Sequence, residues 1–271
     1  MNCIKNERKY RKLKLLFINE INNLDKHKSK KGRPCKYNNL FYINKIMYVL
    51  ITGISWNNLD MTMHNITANA IYKKFNKWCR ENVFLNAYKK LYHKYKKQLD
   101  PNFFRSLFID SSVIPNLNCC NTGYNIKIPN KKSIKLSIIV DANKIPVAEH
   151  VGPSNSVDSK LIIKPVNRLR RSIRSIKLVG DLGYLANMDV KNRLKKKKII
   201  MVTGFRKNMK NRRNSKINKK LLLKRYVVEH AFSNIKRRFK RLSIAIDRDS
   251  NTYYQWFNII KTTLMYEHMN K

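Results

Sequence analysis

"SIKLSIIVDANKIPVAEHV", residues 133–151, decides the fold. Two apolar runs flank the short turn ANK, which is the pattern of two buried strands joined as a hairpin. Upstream, "FFRSLFID" (103–110) is a third apolar run, and it ends in Asp110. Downstream, "SIKLVGD" (175–181) ends in Asp181, and "KIIMVTG" (198–204) is a further short strand. Between them, "SVDSKLIIKPVNRLRRSI" (156–173) predicts a helix opening at Ser156 and shortened or kinked by Pro165. "GYLANMDVKNRLKKKK" (183–198) predicts another helix. Strand, strand, strand, helix, strand, helix, strand, helix gives an α/β fold, a mixed sheet flanked by helices.

The region before residue 101 has a different texture. "LFYINKIMYVLITGISW" (40–56) places Leu40, Ile43, Met47, Leu50 and Ile51 on one helical face, with Gly53 ending the run. "ANAIYKKFNKWCRENVFLNAYKKLYHKYKK" (68–97) continues helical, with Ile71, Phe75, Trp78, Val83 and Leu85 apolar. "KKGRPCKY" (30–37) reads as a basic extended arm carrying Arg33 and Lys36. Two domains follow: 1–100, small and helical, suited to DNA binding or to a bundle with a solvated Lys face, and 101–271, the sheet with its C-terminal helices. "FRKNMKNRRNSKINKK" (205–220) reads as a basic loop, a long helix begins near Leu221, and a shorter helix, "NTYYQWFNIIKTTLMYEH" (251–268), closes the chain.

Composition narrows the partner. The 271 residues carry 59 Lys and Arg against 16 Asp and Glu, a formal charge of +43. Charge on that scale calls for a polyanion, first of all nucleic acid, although AT-rich codons also favour Lys, Asn, Ile and Tyr. With 43% hydrophobic and 10% aromatic residues, the charge coats folded cores rather than a disordered tail. No apolar run approaches the roughly 20 residues of a membrane span, and the N-terminal stretch is too short for a signal peptide. A soluble, intracellular protein is expected, with reduced cysteines and no zinc site.

Three acids stand out. A carboxylate at a strand end leaves the buried sheet yet stays anchored to it, so Asp110 and Asp181 on neighbouring strands would share one edge. The third is Glu229, the one acid in "KRYVVEHAFSNIKRRFKRL" (224–242). At 100° per residue Arg225, Glu229, Ser233, Lys236 and Lys240 fall within about 40° of one line, beside an apolar stripe of Val228, Phe232, Ile235 and Phe239. Three carboxylates of this kind suit Mg²⁺ or Mn²⁺ in two-metal phosphoryl transfer. Each has a plainer reading: the aspartates as turn or cap residues, Glu229 as an i,i+4 partner of Arg225 worth about 0.3–0.5 kcal/mol. Asp141 reads as a turn residue; Asn155 and Asp158 line the site or, the favoured reading, cap a helix; Trp56 and Trp78 stack on bases or, the favoured reading, pack in the core; and His230 points away from the Glu229 line.

The motifs, taken in order, resemble the DDE transposases of bacterial insertion sequences, in the group typified by insertion elements four and five. "GRPCKYNNLFYINKIMYVLITGISWNNLD" and "ANAIYKKFNKWCRENVF" are similar to that group's N-terminal region, "FIDSSVIPN" to its first aspartate motif and "KLSIIVDANKIPVA" to its next two strands. "GPSNSVDSKLI" is similar to the helix start that follows, and "VGDLGY" to the second aspartate motif. "RYVVEHAFSNIKRRFKRL" resembles the glutamate helix, whose pattern is Y-x-x-R-x-x-x-E-x-x-x-x-x-x-K, with Leu222 standing at the tyrosine position. Asp181 and Glu229 are separated by residues 182–228, which leaves no room for the large insertion of some relatives.

The resemblance implies an RNase H-like catalytic domain that cuts at terminal inverted repeats and joins the freed 3′-hydroxyl to target DNA. It implies Asp110, Asp181 and Glu229 as ligands of two Mg²⁺ or Mn²⁺ ions, and Arg225 and Lys236 on transposon-end phosphates. Arg237, Lys240, Arg33 and Lys36 join them as expected DNA contacts. The implied partner is double-stranded DNA, transposon ends and target, gripped by a homodimer or higher assembly. Such a protein works in the bacterial cytoplasm or nucleoid, or in the nucleus or viral factory of another host. The alternative is a transposase-derived protein that binds DNA without cutting it.

Overall fold

A computed structural model describes residues 2–25, 36–100, 102–115, 122–169, 175–185, 187–205, 215–243, 247 and 249–270. The chain forms two compact units, one of residues 1–98 and 238–271, the other of residues 99–237.

The second unit is built on a mixed sheet. β1 (Ser106–Pro115) pairs antiparallel with β3 (Ile128–Val140), which pairs antiparallel with β4 (Pro146–Pro153). On its other side β1 pairs parallel with β5 (Ile176–Val179), and β5 pairs parallel with β6 (Ile199–Val202). The order β4-β3-β1-β5-β6 is the RNase H-like order, with the first strand central. β2 (Gly123–Asn125), absent from the sequence reading, is a sixth strand lying against β3. The hairpin at Asp141 forms as expected. Its fully buried carboxylate accepts the N–H groups of Asn143 and Ile145 at 2.9 and 3.0 Å, a turn role and not a catalytic one.

The helices of this unit depart from expectation in instructive places. The segment after β4 is two short pieces, α5 (Asp158–Leu161) and α6 (Ile163–Arg168). Pro165 has no N–H to offer the carbonyl of Leu161, so the first helix ends there. α7 (Met188–Lys196) is capped by the Asn187 side chain, 3.0 Å from the Val190 N–H. The expected basic loop is helical in its last part, α8 (Lys216–Leu223), capped by Ser215. Lys224 and Arg225 form a turn, so the glutamate helix is α9 (Tyr226–Arg238) and does not reach back to Leu221.

The first unit is all helical: α1 (Asn2–Asp25), α2 (Asn39–Thr52), α3 (Ala68–Arg80), α4 (Val83–Lys97) and α10 (Ser250–Met269). α2 ends where Gly53 adopts φ 75°, its N–H bonded to the Val49 carbonyl at 3.0 Å. Any Cβ there would also meet the Lys240 backbone at 3.0 Å, so glycine is required twice over. The run 68–97 breaks between α3 and α4 at Asn82, which holds a left-handed φ of 55°. Trp56 and Trp78 are packing residues, Trp56 stacking on Trp256 at 6.0 Å and Trp78 lying 2% exposed.

The terminal helix is the main departure. Expected to be the shorter of the last two helices, it is the longer. α10 spans 20 residues, is buried on nearly every side, and packs on α4, α3 and α1. Its buried residues include Gln255, Asn258 and Lys261 beside the apolar ones, so it is a core helix of the helical unit. Leading into it, Arg241 is buried and donates from Nη2 and Nε to Asp247 at 2.7 and 3.1 Å, and from Nη1 to the Ile54 carbonyl at 3.0 Å. Trp256 Nε1 donates to the same aspartate at 3.0 Å. Removing one member strands a buried charge, so Arg241→Ala and Asp247→Ala should each cost about 3–5 kcal/mol of stability in urea unfolding. A loss below about 1 kcal/mol would show the network to be dispensable.

Candidate active site

β1 and β5 set the site. Phe108 pairs with Val179 in the parallel register, so Asp110 and Asp181, each two residues further on, leave this pairing at the same level. β1 does not end at Asp110, as the sequence suggested, but runs to Pro115 because β3 continues to pair with it through Ser133. Asp110 is therefore a mid-strand residue whose parallel neighbour has stopped. Gly180 makes that close approach possible: a Cβ there would lie 2.7 Å from Met201 Cε and 3.1 Å from Ile109 Cγ2. Asp181 itself caps a 3₁₀ turn at Leu182–Tyr184 and accepts the Gly183 N–H at 2.9 Å. The capping role is thus real, and it fixes the side chain beside β1.

α9 brings the third acid. Glu229 pairs with Arg225 at 2.8 Å and is 49% exposed, the surface ion pair that its spacing allowed. Burial pushes the Asp110 carboxyl up to about 6, the Ser111 N–H opposes that, Asp181 adds to it, Arg225 opposes it and Glu229 adds to it. Asp110 is thus within electrostatic reach of Asp181, Arg225 and Glu229 together. One helical span on, Lys236 donates to Ser112 Oγ at 2.6 Å, and burial holds its ammonium below the usual lysine range.

The remaining expected DNA contacts are placed differently. Arg237 is exposed on α9. Lys240 does not continue the helical line, because α9 ends at Arg238 and Phe239 turns the chain to φ −118°, ψ 79°. Lys240 and Lys36 belong to the first unit, and Arg33 lies outside the described residues. Leu222, at the tyrosine position, is on α8 and not on the helix of Glu229. His230 approaches Lys144 Nζ at 3.2 Å, away from the acids as expected.

Two further residues lie close by, Asp158, which the sequence offered as lining the site or as a cap, and Tyr184, which it did not single out. Asp158, read as a cap, accepts Ser111 Oγ at 2.6 Å and pairs with Lys135 at 3.3 Å. Tyr184 is fully buried, and burial followed by Asp158 pushes its hydroxyl above the ordinary phenol range. Only the fold brings Lys135, Ser111 and Asp158 together. The pairing of Lys135 with Val113 across β3 and β1 could not be read from the sequence.

Three carboxylates are hard oxygen donors, and like charges around a half-buried Asp110 are what a divalent cation would neutralise, so the donor chemistry fits Mg²⁺ or Mn²⁺. They are not drawn into a finished cage: among the described residues no three His, Cys, Asp or Glu stand close enough to hold a metal ion. Glu229 is turned to Arg225 instead.

The family model described as "Transposase DDE domain" matches residues 103–264, and the chain belongs to that family. The protein is therefore a DDE-type transposase by class. No curated protein matches it. Among solved structures, "Crystal structure of the Mos1 Strand Transfer Complex" is similar at 12% identity and a TM-score of 0.32, over 90% of this chain and 79% of that one. "Crystal structure of the Mos1 mariner paired end complex with Mn" is similar at 12% identity and a TM-score of 0.33, over 98% and 85%. Among the described residues no helix is long and apolar enough to cross a membrane.

The raised Asp110 carboxyl has a signed consequence. Its folded pKa of about 6 lies above the ordinary 3.8, so the stability it contributes is full at low pH and lost as pH rises through about 6. In metal-free buffer Asp110→Asn should match the parent's melting temperature near pH 4 and exceed it by several degrees near pH 7.5. Equal melting temperatures at both would show that Asp110 is not strained by its neighbours.

Proposed function

We propose that the protein cuts DNA at the inverted-repeat ends of a mobile element and transfers the freed 3′-hydroxyl into target DNA. The observation that carries this reading is Asp110, held in the central strand with Asp181, Glu229 and Arg225 all within electrostatic reach. Asp110, Asp181 and Glu229 are the residues that would hold the divalent ions, two of Mg²⁺ or Mn²⁺. When bound, such ions supply Lewis-acid activation of the scissile phosphate and of the attacking oxygen.

The chain's own residues do the rest. Arg225 and Lys236 flank Glu229 along the chain, so a phosphate brought to the acids meets cations on either side. Lys236 is held by Ser112 before DNA arrives, which lowers the ordering cost of its contact. Arg237 is exposed on the same helix and suits the DNA backbone. In the first unit the exposed Lys36, just before α2, and the basic helices suit flanking duplex. With +43 overall, long-range attraction to DNA needs no further device. Within the family, Arg225, Glu229 and Lys236 at the spacing R-x-x-x-E-x-x-x-x-x-x-K support the bacterial insertion-element group. Pairing two ends calls for at least a dimer. The division of labour is a helical DNA-binding unit and a sheet unit that cuts.

The test is to incubate the protein with DNA carrying the inverted repeats that flank its gene, in Mg²⁺. The parent should nick at the repeat boundary and leave a 3′-hydroxyl, and Glu229→Gln, Asp110→Asn and Asp181→Asn should not. No nicking by the parent, or equal nicking by Glu229→Gln, sinks the catalytic reading and leaves the DNA-binding descendant. Binding should be strongly salt-dependent, and Arg237→Ala should lower the slope of log K against log salt by about one. An unchanged slope removes Arg237 from the interface.

A further inference from the structure

Asp158 lies on the face of β1 that carries Ser111, and its two partners come from neighbouring strands, with the turn after β5 close by. Ser111 Oγ, on the central strand, donates to its Oδ1 at 2.6 Å. Lys135 Nζ, from β3, approaches the same oxygen at 3.3 Å and also donates to the Ser156 carbonyl at 2.6 Å. Lys135 is almost wholly buried, so its charge is committed to this arrangement and not to solvent. The third connection is to the turn after β5. A Cβ built on Gly183 would lie 3.4 Å from Asp158 Oδ2 and 3.1 Å from Asp181 Oδ1, so the two carboxylates flank this glycine. Tyr184, next in the chain, is buried beside Ser111, Asp158, Asp110 and Asp181.

We infer that Asp158 is a positioning residue for the metal-binding acids, acting through Ser111 on Asp110 and through the Gly183–Tyr184 turn on Asp181. The reasoning is mechanical. β5 stops pairing with β1 at Val179, so no ladder hydrogen bond fixes Asp181 relative to Asp110. Asp158 spans that gap, and Lys135 anchors it to the strand on the far side of β1. Side chains that fix a metal ligand's orientation typically govern metal affinity or activity by about 10–100-fold. This inference rests on the carboxylate site of the proposed function.

The test uses the full chain and reads free Mn²⁺ by electron paramagnetic resonance during titration, alongside cleavage of repeat-end DNA. Ser111→Ala and Asp158→Ala should each weaken Mn²⁺ binding about tenfold and slow cleavage about tenfold, with DNA-end affinity unchanged. Ser111→Thr, which keeps the hydroxyl, should restore both. Ser111→Ala deletes one oxygen and leaves Lys135 paired, so it reports on positioning even where Asp158→Ala unfolds. Parent-like Mn²⁺ affinity in Ser111→Ala overturns the inference, and so does a loss that Ser111→Thr does not restore. Asp110→Asn separates the two readings. If it loses Mn²⁺ while Ser111→Ala does not, only the positioning role falls; if it binds like the parent, or the parent takes up no Mn²⁺, the carboxylate site falls with it.

Discussion

The second unit depends on one short ladder, the parallel pairing of Ser106, Leu107 and Phe108 with Lys177, Leu178 and Val179. Parallel neighbours need a long crossover, so this contact closes a loop of some seventy residues and carries its entropy cost. Having brought the strands together, it ends abruptly. β1 is then paired on one side only, and its next outward residue is Asp110. A carboxylate in the middle of a fully paired strand would be buried under flanking structure. At the point where a parallel neighbour departs it stays reachable, and Asp181 leaves from the matching level. Gly180 belongs to the same constraint, since the space its Cβ would need is taken by Met201, Tyr184 and Ile109.

That geometry is locally unfavourable, which is informative. Asp110 is half-buried with acids for neighbours, and its carboxyl is pushed up to about 6 as a result, with burial as the largest cause. Packing alone would place an apolar residue or an asparagine there. Natural folds depart from local consistency mainly where function demands it, and at Asp110 a charge is held against its own stability. The contrast with Asp141 is direct. It is more deeply buried, yet it is met by N–H donors from its own turn and needs no ligand.

How much of this was legible in the sequence follows from the range of each interaction. The hairpin at Asp141, the strand at Ile176–Val179 and the stop at Gly53 depend on neighbours a few residues away, and the apolar runs and turn residues expose them. Asp110, Asp181 and Glu229 could be singled out because each is an acid in an otherwise apolar or basic run. Lys135, Ser111 and Asp158 could not be grouped, because a strand register and a helix start bring them together across 47 residues. The surroundings of α10 are hidden for a related reason. Its apolar residues show that it is buried but not in which core; its packing on α4, α3 and α1, together with the Arg241–Asp247–Trp256 network, sets it in the helical unit.

The scarcity of acids sharpens the distinction between structural and site carboxylates. In a chain of +43, many of the 16 acids serve as internal counter-charges. Glu20 meets Lys90 at 2.6 Å, Asp247 holds Arg241, and Glu267 accepts Arg238 Nη1 at 2.8 Å while also receiving the Tyr10 hydroxyl at 2.6 Å. Each of these joins two elements through a cation and would be conspicuous by its loss in stability. Glu229 differs. Its partner Arg225 is local, the pair is half-exposed, and such a pair contributes only about 0.3–0.5 kcal/mol, so stability gives little reason to keep an acid on this basic helix. What Glu229 has instead is a second neighbour, Asp110, whose charge it opposes. An acid that opposes another acid's charge from a basic helix is poorly explained as an ion pair alone. Under the proposed function it is one wall of the site that would hold the divalent ions.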